Sequence, residues 1–130
     1  MNLTFQFHDS EVRQVQAAGA ASADLDVAFS AAAVRSPDRQ NGADGYVLNL
    51  EMRLTGAAWS GTLADGVGRL SAGALCIDGV PLSPVPLPMA RDGRVELTLN
   101  FTNGTLLSIA AVAIEFRFAG DVRFVESFAC

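Results

Sequence analysis

The chain has 130 residues, of which half are apolar and 18% are charged, so it can fold around a core and is not a disordered chain. Its formal net charge of −5 argues against a nucleic-acid partner, because proteins that bind nucleic acid carry a basic surface. All nine basic residues are arginine, which excludes lysine Schiff-base chemistry and a P-loop lysine. The arginine and alanine usage indicates a GC-rich, bacterial source, and we expect one β domain over residues 1–130.

Alternating apolar and polar residues predict strands in the first third of the chain. The pattern covers residues 3–7, 12–16 and 25–29, with a bend at 8–10 and a turn at 17–22. A helix over residues 11–21 is the alternative, because alanine favours helices. The β-branched valines and the glycine in that stretch favour strands.

The clearest alternation covers residues 46–54 and predicts a strand with one buried face. The apolar positions are Tyr46, Leu48, Leu50, Met52 and Leu54. The preceding stretch, residues 36–45, is polar and rich in turn formers, so we expect a loop there.

Residues 94–118 predict a hairpin around Asn103-Gly104, a pair that tolerates the positive φ angles of a two-residue turn. Such a turn opposes Phe101 to Leu106 and Val95 to Val112, and it places both apolar faces on one side. A further strand over residues 122–128 completes a predicted three-stranded meander.

Four prolines lie between residues 80 and 89, after further short strands within 57–63 and 67–77. Proline cannot donate to a strand ladder, so this segment should lie at a sheet edge or cross between sheets. In total we expect eight or nine short antiparallel strands. We favour an all-β sandwich, since the prolines offer a crossover, with a small β-barrel as the alternative.

His8 is the single histidine, and Asp9 and Ser10 follow it directly. Adjacent residues of an extended chain point in alternate directions, so they cannot form a Ser-His-Asp relay among themselves. We interpret them as a bend whose polar side chains cap backbone groups. A binding role is the second interpretation, and a hydrolase with His8 as its base is the third. No catalytic residue is predicted.

No metal or cofactor is predicted. One histidine and two distant cysteines, Cys76 and Cys130, do not supply a zinc site, and no calcium-loop sequence occurs. Cys76 lies in an apolar stretch and should be a packing residue. The N-terminus lacks a basic region and a long apolar run, so we expect a cytoplasmic protein without a membrane partner.

Trp59 is the single tryptophan. On a β-sheet surface it could stack on a sugar ring or anchor a partner, although a half-buried core position is the common alternative. The edge strands carry no lysine to block pairing, so a homo-oligomer formed through these edges is a further expectation.

Residues 7–12 read Phe-His-Asp-Ser-Glu-Val, and alternating strands follow. This stretch resembles the start of small bacterial β proteins of the immunity-protein type, which accompany polymorphic toxins. The resemblance implies a non-catalytic protein that binds another protein, with His8, Asp9 and Ser10 as candidate contacts. Our leading hypothesis is therefore protein–protein contact; a small-ligand or carbohydrate-binding module that uses Trp59 is the alternative.

Overall fold

The computed structural model describes residues 3–19, 23–36 and 44–126. These residues form eleven strands and one 3-10 turn, Leu63–Asp65. The strands are β1 (Leu3–Ala17), β2 (Leu25–Arg35), β3 (Asp44–Val47), β4 (Leu50–Thr55), β5 (Ala58–Ser60), β6 (Gly68–Ile77), β7 (Val80–Pro81), β8 (Val85–Leu87), β9 (Met89–Phe101), β10 (Leu106–Phe118) and β11 (Phe124–Glu126). Within the described ranges no helix is long and apolar enough to cross a membrane.

Six of the strands close into an antiparallel barrel in the order β1-β2-β4-β10-β9-β6, and β6 pairs again with β1. The remaining strands pair outside this ring. The all-β prediction is confirmed, the preferred sandwich is not confirmed, and the small-barrel alternative fits the closed ring. Local patterning did not predict the closure, because the closure depends on β1 pairing with β2 on one side and with β6 on the other.

The proline segment does not carry the chain between two sheets. β8 pairs with the first residues of β1, with Val85 opposite Phe5 and Leu87 opposite Leu3, and it ends the strand order. The predicted edge position is therefore confirmed, and the crossover that favoured a sandwich is absent from the described residues.

β1 is one bulged strand where the sequence predicted two. Its ladder with β2 pairs Gln6 with Ala33 and then Glu11 with Ala31, so five steps along β1 face two along β2. The helix alternative is wrong, because β1 continues to Ala17. The predicted turn after it lies partly outside the described residues, as does most of the predicted loop at 36–45.

The predicted inward face is confirmed over residues 50–54, where Leu50, Met52 and Leu54 have no exposed surface. It is wrong over residues 46–48, because Val47 is buried whereas Leu48 is 44% exposed. The strand is interrupted between Val47 and Leu50, where the Asn49 amide nitrogen donates to the Ala119 carbonyl at 3.1 Å.

The β9–β10 hairpin forms, but its predicted register is wrong by one residue. Phe101 donates its N–H to the Thr105 carbonyl at 2.9 Å, which leaves a three-residue loop in place of the two-residue turn. Gly104 takes a φ of +92°, as the last residue of such a loop requires. Leu99 therefore opposes Leu107, not Ser108.

The shift in register moves side chains from one face of β10 to the other. Leu106 and Val112, expected inside, are 51% and 61% exposed, whereas Leu107 and Ile109 are buried. A second irregularity between Ala111 and Ala113 restores the predicted parity, so that Ile114 and Phe116 are buried as expected.

The predicted meander is also wrong at its third strand. β11 pairs with β3, where Val125 lies opposite Tyr46, and not with β10. Its last predicted residues, 127 and 128, lie outside the described residues.

The core fills the barrel interior with aliphatic and aromatic side chains. Phe5 lies at its centre, with its ring centroid 5.3 Å from that of Phe29 and 5.2 Å from that of Phe116. On the outside, Arg53 donates two hydrogen bonds to its ladder partner Asp26, at 2.8 and 2.9 Å. These bonds and the adjacent negative charge raise the pKa of the Arg53 guanidinium above its usual value.

Candidate functional site

The barrel is least continuous between β1 and β6. These strands share two ladder pairs, Glu11 with Arg69 and Val12 with Gly68, and no further ladder pair joins them in the described residues. We call this junction the β1–β6 seam. The segment that follows β7 partly covers the gap beyond the seam, because Leu82 donates its N–H to the Leu75 carbonyl of β6 at 2.9 Å.

A cavity of about 790 Å³ occupies this gap. Its walls are residues 4–8 of β1, 71–76 of β6 and the segment 81–85, together with Arg35 at the end of β2. Cavities of this size accommodate small organic molecules. Closed barrels of few strands are usually filled by their own side chains, so an open volume here needs a local cause.

Phe7 and Gly73 are that local cause. A Cβ atom on Gly73 would lie 2.5 Å from the Phe7 ring, so the absence of a side chain lets the ring lie directly over β6. Phe7 also packs edge-on against Phe5, with centroids 4.9 Å apart. The ring thus occupies the space in which strand β6 would otherwise approach β1.

The inner part of the cavity is apolar. Phe5, Leu75 and Val85 are buried there, and Phe7 and Leu82 are half-buried beside them. A ligand in contact with these side chains would exchange water for apolar surface, which is the main source of affinity in such sites.

The outer rim is polar. Strand parity places Thr4, Gln6 and His8 on the face opposite Phe5 and Phe7.

Arg35 is the ladder partner of Thr4 and therefore shares that outer face. Its Nε atom lies 3.8 Å from the Asp44 carboxylate, a long contact in which both side chains are more than half exposed. No aspartate or glutamate is among the described residues that line the cavity.

The His8-Asp9-Ser10 stretch forms the bulge of β1. The side chains of His8 and Asp9 are 72% and 47% exposed, and their Nδ1 and Oδ2 atoms lie 3.4 Å apart. Asp9 has a φ of +71°, the left-handed conformation that aspartate tolerates better than most residues.

Ser10 is buried and points the other way. Its hydroxyl donates to the Gln6 carbonyl at 2.6 Å and accepts the Ala33 N–H at 2.8 Å. The hydroxyl proton is thus held by the backbone and is not available for transfer to His8. The arrangement favours the structural interpretation of Ser10 and gives the hydrolase hypothesis no support.

Trp59 is not among the described residues that line the cavity. It is 39% exposed and opposite Ile109 in the β5–β10 ladder. Beside it, β5, β9 and β10 form a second, more open groove of about 460 Å³, whose lining includes Glu96 and Thr98.

Sequence reasoning did not find the cavity. In the sequence Phe7 is one position of an alternating strand, and Gly73 and Arg35 belong to no motif. The three residues line one cavity only after the barrel closes. Cys76, expected to be buried, is half-buried in the cavity wall, while Cys130 lies outside the described residues.

The described residues contain no group of three histidine, cysteine or acidic side chains that could hold a metal ion. Comparison of the chain with known protein families, with curated proteins and with solved structures finds no match.

Proposed function

We propose that this chain is a non-enzymatic binding protein that takes a small, largely apolar molecule into the cavity beside the β1–β6 seam. The observation that carries the proposal is the cavity itself, about 790 Å³ of space against an apolar wall. The sequence analysis gives a small-ligand-binding module as its alternative, with Trp59 in contact with the ligand. We keep that function but infer that Phe7 and Leu75 contact the ligand.

Burial of apolar surface supplies the driving force. Each square ångström of apolar ligand surface removed from water contributes about 25 cal/mol before the losses of motion on binding are subtracted. A site largely formed before binding keeps those losses small. As the sequence analysis predicts, we expect this binding protein to be cytoplasmic.

The test is a titration with N-phenyl-1-naphthylamine, a neutral probe whose fluorescence rises in apolar surroundings. The variant Leu82→Trp enlarges a half-buried side chain that lines the apolar part of the cavity. We expect the wild-type chain to bind the probe, with affinity reduced at least about tenfold in the variant, because the ring occupies part of the ligand volume.

The matched control is Ala90→Trp, which adds the same ring at an exposed position of β9 outside the cavity lining. It should bind the probe as the wild type does. Absence of probe binding to the wild type, or equal loss in both variants, would refute the proposal.

Protein contact through the β1 bulge is the second candidate. The exposed His8–Asp9 pair, lifted from the ladder by the bulge, favours it, as does the resemblance of this stretch to immunity-type proteins. The product of the neighbouring gene should then co-elute with this chain and no longer do so with His8→Ala. Arg91→Ala, an exposed change on β9, is the control. Co-elution that survives His8→Ala would exclude this contact.

A further inference from the structure

We propose that the ligand of this cavity is a small monocarboxylic acid with an apolar tail, whose carboxylate binds Arg35 at the rim. This inference rests on the proposed function and specifies its ligand class. It follows from a cavity lining that combines an apolar wall with the guanidinium of Arg35.

Both apolar and polar groups line the cavity. Phe5 and Phe7 lie on the inner side of β1, and Thr4, Gln6 and His8 lie on its outer side. All five residues and Arg35 belong to the lining, so a molecule in the cavity meets both carbon and polar groups. An amphiphile with a single polar head satisfies both, whereas a uniformly apolar molecule leaves the polar groups unpaired and a sugar leaves the apolar wall unmatched.

The charge of the rim selects the head group. Arg35 is the one arginine among the described lining residues, and that lining contains no carboxylate. The Asp9 carboxylate, outside the lining, lies 3.4 Å from His8 and leaves Arg35 as the cation available to a ligand. A guanidinium carries donors in a planar fork that matches the two oxygens of a carboxylate. The rim thus complements an anion, and a carboxylate fits the geometry of arginine.

Asp44 competes for the same guanidinium from outside the lining. Its Oδ1 atom is 3.8 Å from Arg35 Nε, and the two side chains are 65% and 56% exposed. Exposed pairs at this distance contribute little, so a ligand carboxylate can share or replace the contact. Removal of Asp44 should consequently strengthen binding of an acid and leave binding of a neutral ligand unchanged.

The experiment compares decanoate with decanol as competitors of the neutral probe. Without a cation at the rim, decanol would bind more tightly, because a carboxylate loses more hydration on transfer. We expect decanoate to displace the probe at a concentration roughly three- to tenfold below that of decanol, the size of effect that a partly exposed charged hydrogen bond supports. Added salt should reduce this preference.

Three variants connect the preference to the rim. Arg35→Gln should remove the preference for decanoate without changing displacement by decanol, and Asp44→Asn should increase it. Arg91→Gln, an exposed change away from the cavity, should behave as the wild type.

The two proposals fail in different ways. If decanol and decanoate compete equally, or if Arg35→Gln keeps the preference, the carboxylate assignment is wrong and the apolar cavity stands. If the probe itself does not bind, the proposed function is wrong. If the probe binds but neither competitor displaces it, the carboxylate assignment is overturned.

Discussion

Ser10 is the residue that ties the β1 bulge to its neighbour strand. Its hydroxyl joins the Gln6 carbonyl within β1 to the Ala33 N–H of β2, and its side chain is fully buried. The bulge that it holds carries His8 and Asp9 to the surface and turns Phe7 toward the cavity. One hydroxyl thus connects the local backbone to both candidate sites.

Replacing Ser10 with alanine should lower the free energy of unfolding by about 1–3 kcal/mol, because a buried backbone donor and acceptor lose their partner. Urea denaturation measures the change. Ser71→Ala is the control, since its hydroxyl bonds the Asn100 carbonyl at an exposed position. An unfolding midpoint for Ser10→Ala equal to that of the wild type would contradict this account of the bulge.

At the scale of elements, the β9–β10 loop decides which side chains of β10 are buried. Asn103 forms one hydrogen bond within this loop and one to a residue outside it. Its Oδ1 accepts the Thr105 N–H at 2.8 Å, and its Nδ2 donates to the Asp65 carbonyl at 3.1 Å. The second bond connects the hairpin to the 3-10 turn before β6.

The variant Asn103→Ala should therefore lose about 1 kcal/mol of stability, the usual net contribution of such hydrogen bonds. Thermal unfolding followed by circular dichroism measures it, with Thr102→Ala as the control at an exposed loop position. If both variants melt at the same temperature, the loop geometry described here is wrong.

Local alternation predicted the strands, but not how they pair. The buried face of β4 followed from its period of two, since Leu50, Met52 and Leu54 needed only a pleated strand and a core. The register of β10 did not follow, because Asn103-Gly104 is compatible with a two-residue turn and with a three-residue loop. In the structure Asn103 also bonds the Asp65 carbonyl, a contact distant in sequence. Both parts of the site, its apolar wall and its rim, arise from pairings distant in sequence.

At the scale of the whole molecule, the barrel is a closed ring with one weak junction. β9 and β10 share a ladder from Asn100–Leu106 to Met89–Phe116, whereas the β1–β6 seam has two pairs. The segment after β7 and strand β8 cover the gap without completing the ladder between β1 and β6. The same junction that leaves room for a ligand should therefore be the first part of the barrel to open.

Hydrogen exchange followed by mass spectrometry tests this. Local opening requires less free energy where fewer ladder bonds and contacts must break, so peptides that cover residues 5–10 and 71–75 should exchange earlier than those covering 95–99 and 107–111.

Saturating N-phenyl-1-naphthylamine should slow exchange in the first pair of peptides and leave the second pair unchanged, because a ligand stabilises the closed state that binds it. Leu82→Trp should remove this effect of the probe, whereas Ala90→Trp should retain it. Uniform exchange around the barrel would show that the seam is not its weak junction, and protection by the probe at residues 107–111 alone would locate binding at the groove beside Trp59 instead.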